Sequence, residues 1–111
     1  LVKRTLKKSD EMYNLGCAAV EIVDDFLNDK LTIEKAKEKL ERNIEKQSQI
    51  HEQEKAESDS DHAKFSEYSG DFLVYAYSCD LLSSINEKIA GTGTVSEIKD
   101  AKKDLKDTLK K

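Results

Sequence analysis

Five residues near the middle of the chain have side chains suited to chemistry: His51, Glu54, Asp59, Asp61 and His62. Imidazole and carboxylate groups are common ligands of a bound cation. The spacing here matches neither the His-Glu-x-x-His pattern nor a paired Glu-x-x-His pattern. A solvated hairpin tip accounts for the same residues, so neither a metal nor any other cofactor is assigned.

Cys17 and Cys79 are the only thiols. A thiol beside an imidazole can act as a nucleophile. Both cysteines fall on apolar faces, however, and both histidines fall in polar tracts. There is no glycine-rich phosphate loop, no serine nucleophile elbow and no pair of catalytic carboxylates. The sequence therefore reads as that of a protein that is not an enzyme.

A third group is aromatic. Tyr68, Tyr75 and Tyr77 accompany Phe72 and Leu81 in the most apolar stretch of the chain. A tyrosine with a covered ring and a wet hydroxyl suits an interface. Two readings are open: the interior of the fold absorbs these five residues, or one flank of them stays free for a partner. Lys99, Lys103, Lys106 and Lys110 line one side of the last segment. Asp100, Asp104 and Asp107 alternate with them, which describes a solvated face.

These residues need elements to position them. Residues 72–82 (FLVYAYSCDLL) are broken only by Ser78 and Asp80. Wound as a helix they are apolar on nearly every side and need cover all round. Read alone, FLVYAYS also suits a β-strand, but no second strand exists to pair its backbone.

Four helices are predicted, at about 2–28, 32–57, 61–90 and 95–109. The first carries Met12, Leu15, Ala19, Ile22 and Phe26 on one stripe, with Tyr13, Cys17, Val20, Val23 and Leu27 beside it. Thr32 caps the second, whose narrow stripe (Ile33, Ala36, Leu40, Ile44) fades into Gln47, Ile50, His51 and Glu54. Breaks are expected at Asn28–Lys30, at Ser58–Asp61 and at Gly91–Thr94. Gly91 suits a left-handed helix end, and Thr94-Val95-Ser96-Glu97 suits a capping box. Residues 29–36 (DKLTIEKA) resemble a turn-and-helix start found in many small bacterial helical proteins, which implies no particular function.

Short breaks predict an all-α, antiparallel up-down-up-down four-helix bundle with three long helices and a short fourth. The fourth should cover residues 72–90, leaving the opposite end polar and wet. Cys17 and Cys79 would then sit at similar heights on diagonal helices. Neighbouring axes are already ~8–10 Å apart and a disulfide needs Cα atoms within ~7 Å, so two free, buried thiols are expected. Gly16, Cys17, Ala18 and Ala19 would admit Tyr75 or Tyr77 closely.

Composition agrees. In 111 residues, 38% are charged and 37% hydrophobic, with no proline. One domain with a modest core is the limit. The net charge of −4 and the two arginines, Arg4 and Arg42, argue against nucleic acid as a partner. The chain begins at Leu1, so a preceding segment is expected, such as a signal sequence or an anchor. Lys3, Arg4, Lys7 and Lys8 suit a juxtamembrane position or an ordinary solvated helix start. Any membrane contact would come through that preceding segment, and an extracytoplasmic place is expected over a cytoplasmic one.

The functional expectation is a helical interaction module binding a protein partner or itself through Tyr68, Phe72, Tyr75, Tyr77 and Leu81. The alternative is a membrane-tethered bundle that binds a small ligand or cation.

Overall fold

Helix-forming Lys and Glu are the commonest residues of the chain and proline is absent. The computed structural model describes residues 8–60 and 65–110, and these form four helices with no strand among them. They are α1 (Asp10–Leu27), α2 (Ile33–Ser60), α3 (Phe65–Ile89) and α4 (Val95–Leu109). The FLVYAYS segment is helical, inside α3. The first residues of the expected first helix, the basic residues Lys3, Arg4 and Lys7, and Asp61 and His62 lie outside the described residues.

Each helix boundary has a local cause. Ser9 is extended, and its hydroxyl accepts the Met12 N–H at 3.2 Å, so α1 begins at Asp10. Asp29 closes α1 with φ 62°, beside N–H bonds from Asn28 to Asp24 O and from Lys30 to Asp25 O. Thr32 Oγ1 accepts from Lys35 N–H, and the Thr94 hydroxyl accepts from Glu97 N–H, each at 3.2 Å. Gly91 has φ 85°, and the next two N–H groups both reach Glu87 O at 2.9 Å.

The expected break at Ser58–Asp61 needs correction, because α2 runs through Ser60. Ser58 and Ser60 donate their hydroxyls to Lys55 O and Ala56 O, so both are satisfied within a helix rather than ending it.

The core is drawn from all four helices: Met12, Val23, Leu40, Val74, Leu81, Ile85, Ile98 and Leu105 are fully buried. α2 packs against α1 and α3, α4 packs against α3 and α1, and α1 also meets α3, whereas α2 and α4 are apart. Gly16 marks where α1, α3 and α4 converge. A Cβ there would lie 2.7 Å from a Leu109 methyl and 2.9 Å from a Val74 methyl. The nearest neighbours of Gly16 are thus the aliphatic side chains of Leu109 and Val74. Halfway along α4, Lys102 Nζ bonds Asp24 Oδ1 at 2.6 Å, tying α4 to α1. Lys99, Lys103, Lys106 and Lys110 are exposed, as a solvated face requires.

Two further expectations change. Cys17 is exposed, together with Tyr13, because the front half of the second α1 stripe turns outward. Both thiols are free, and only Cys79 is half-buried. The polar end is also not simply wet. Gln47 is 0% and Asp71 1% exposed. Asn43 Nδ2 donates to Leu15 O at 2.8 Å, while Gln47 Nε2 donates to Asn43 Oδ1 at 2.7 Å and to Ser78 Oγ at 3.1 Å. Ser78 in turn donates to Val74 O. Where the apolar stripe of α2 ends, a buried polar seam takes over.

Candidate functional site

The seam between α2 and α3 carries two distinct groups of side chains. The first is aromatic. His51, half-buried on α2, is stacked on Tyr75 at 5.0 Å and on Tyr68 at 5.5 Å, with interplanar angles of 17° and 19°. Phe72 leans on the same imidazole at 5.5 Å, and Tyr68 links Phe72 to Phe65 with 6.3 Å on each side. The 3–4 spacing of Phe65, Tyr68, Phe72 and Tyr75 puts them on one face of α3. Phe65 and Phe72 nevertheless stay 59% and 43% exposed.

Of the five residues expected to contact a partner, Tyr68, Phe72 and Tyr75 are brought together. Tyr77 lies apart from them, half-buried against the hydrophobic core. Leu81 is a correction: it is 0% exposed and belongs to the core, so it offers no surface. Its position repeats that of Val74, Ser78 and Ile85, all buried on the inward face of α3. Phe65, the first residue of α3, joins the exposed strip through Tyr68.

The second group is acidic. Glu54 on α2 and Glu67 and Asp71 on α3 place carboxylate oxygens within 4.8 Å of one another. Asp71 Oδ1 accepts the Ser9 N–H at 2.8 Å, so the start of α1 fixes its orientation. Asp71 Oδ2 and Glu54 Oε1 are buried and have no donor. Both facing groups are acceptors until one of them is protonated. Burial, the hydrogen bond to Asp71, and the charges of Asp71, Glu67 and Glu57 push the Glu54 carboxyl up to about 8. Glu54 therefore keeps its proton at neutral pH. A cleft lined by Ser9, Glu11, Gln53, Glu57 and Glu67 opens beside it.

Of the described residues first considered for a cation, only Glu54 joins this group. Asp59 is exposed near the end of α2, and His51 turns to the aromatic rings instead. Asp71 was hidden by its position next to Phe72. The available signal was helical: Asp71 shares a stripe with Val74, Ser78, Leu81 and Ile85, so its carboxylate had to point inward.

Burial pushes the Cys79 thiol up, and the hydrogen bond from Tyr75 offsets only part of that. His51 Nδ1 has no hydrogen-bond partner. Among the described residues no helix is long and apolar enough to cross a membrane.

Compared with protein-family models, with curated proteins and with solved structures, the chain matches none of them.

Proposed function

We propose that this chain is a non-enzymatic helical interaction module, an antiparallel up-down-up-down bundle that binds a protein partner or a second copy of itself. Its binding face is the aromatic strip of α3 around His51. The observation that carries this reading is the exposure of Phe65 and Phe72, at 59% and 43%, within a continuous set of ring contacts. Contiguous exposed aromatic surface on a small protein marks an interaction site more often than chance exposure of single residues. Tyr68 and Tyr75 supply rings already held by His51, so little side-chain entropy is lost on binding.

The antiparallel arrangement is supported by register. Gln47 pairs with Ser78 and Glu54 lies beside Asp71, so advancing along α2 retreats along α3. Asp24 pairs with Lys102 and Gly16 lies against Leu109, so α1 and α4 also run opposite. Ser9 meets Asp71 and Gly16 meets Val74, so α1 and α3 advance together.

Sedimentation from micromolar to millimolar concentration tests association with itself, with the double variant Phe65→Ser/Phe72→Ser as the control. Association that the double variant weakens at least tenfold supports the reading. A photo-crosslinking side chain at position 72 tests association with another protein. A chain that stays monomeric and yields no cross-linked partner from its native host overturns the proposal.

A further inference from the structure

We propose that Glu54, Glu67 and Asp71 together hold one hard divalent cation of about calcium size. This proposal is independent of the aromatic face. Its starting point is not the acidity of the cluster but an orientation. Asp71 is 1% exposed, one of its oxygens is fixed by the Ser9 N–H at 2.8 Å, and the other is buried without any donor. The buried oxygen of Glu54 is likewise without a donor. Buried acceptors left unpaired are costly, and native structures rarely keep them. What these two oxygens lack is positive charge, supplied by a proton or by a cation.

The ligand set selects the kind of cation. All three donors are carboxylates, which suits calcium, magnesium or manganese and not the softer metals. Calcium takes ligands at about 2.3–2.6 Å, so its opposite ligands lie about 5 Å apart. Oxygens within 4.8 Å of one another fit that sphere. Magnesium, at about 2.0–2.1 Å, asks for a tighter and more regular set. Three carboxylates supply at most six oxygens, and the adjoining cleft leaves room for water to complete the shell. The cleft is also the entry path, and Glu11 and Glu57 on its walls draw cations toward it.

The experiment is a calorimetric titration of chelator-treated protein with calcium chloride, paired with thermal melts at about 10 mM calcium against sodium chloride of equal ionic strength. One saturable site, a raised melting temperature, and loss of both in Glu67→Gln support the proposal. Glu67 is half-buried, so that variant should keep the fold, and circular dichroism verifies it. Glu54→Gln mimics the protonated carboxyl and should also abolish binding. No heat and no melting shift at pH 8.5 overturns the proposal. So does unchanged binding in the folded Glu67→Gln protein, which would place the ion elsewhere. Tighter binding of magnesium or zinc than of calcium overturns the assignment of ion size and type.

Discussion

Ser9 and Asp71 join the start of α1 to the middle of α3 through a single bond, from the Ser9 backbone N–H to Asp71 Oδ1 at 2.8 Å. The same serine caps α1 by accepting the Met12 N–H. One residue thus starts the helix and anchors that end to its neighbour. The first N–H groups of a helix have no partner within it, and here one such need is met by a buried carboxylate.

Asp71→Ala should cost about 1–3 kcal/mol, because the Ser9 N–H loses its acceptor in a covered position. Asp71→Asn keeps an oxygen for Ser9 and should cost less. Urea unfolding of the two variants checks this. Equal stability would mean that the bond to Ser9 contributes nothing.

Glu54 predicts a pH dependence with a definite sign. Its carboxyl titrates near 8 in the folded chain against an ordinary value of 4.5. The folded state therefore holds an extra proton between these values. Stability from this group is fully present below about pH 4.5 and is lost as pH rises through 8. Glu54 is only partly buried, so after solvent screening the loss is on the order of 1–2 kcal/mol. Glu54→Gln should match the parent near pH 4 and melt several degrees higher than the parent near pH 9. Melts without added divalent cations across this range check the crossover. A parent protein whose melting temperature rises from pH 6 to pH 9 would contradict it.

Gln47 is the hinge of the buried polar seam, 0% exposed and donating to both Asn43 and Ser78. Gln47→Ala removes volume and leaves Asn43 Oδ1 without this donor, so a loss of about 2–4 kcal/mol is expected. Gln47→Met fills the space and should recover part of it. Chemical denaturation of both variants separates the packing cost from the hydrogen-bond cost.

The parts of this fold legible in the sequence are those decided locally. Thr32 and Thr94 accept from N–H groups three residues on, and Gly91 takes a positive φ, as their types and positions suggest. The apolar run of residues 72–82 is helical, but only Val74, Ser78 and Leu81 within it are buried and Phe72 stays exposed, so the cover expected all round it is incomplete. What stayed hidden is decided by partners distant in sequence. Gln47, Asn43 and Asp71 are residue types usually found in water, and nothing within α2 or α3 alone says that Leu15, Ser78 and Ser9 will meet them. Ser58 and Ser60 mislead for a related reason: the same hydroxyl that caps a helix can bond back to the preceding turn. For the candidate site, the aromatic spacing on α3 was visible, but the carboxylate cluster required knowing how α2 and α3 are paired.

Gly16 sets the closeness of α1 to both α3 and α4. Gly16→Ala gains about 1 kcal/mol of helix propensity, but the added methyl would lie 2.7 Å from Leu109 and 2.9 Å from Val74. Leu109, at the end of α4, can shift its side chain. Val74 is 0% exposed and enclosed by the core, so it cannot yield without moving other residues. Overpacking of this kind costs about 1–3 kcal/mol, so Gly16→Ala should be neutral to destabilising by about 2 kcal/mol. If the clash is the cause, Val74→Ala in the same chain should be less damaging than in the parent, because the new methyl occupies part of the space vacated. A double-mutant cycle measured by urea unfolding reads this coupling directly. Additive effects of the two substitutions would show that α1 can move away from α3 at little cost, and that Gly16 does not fix their separation.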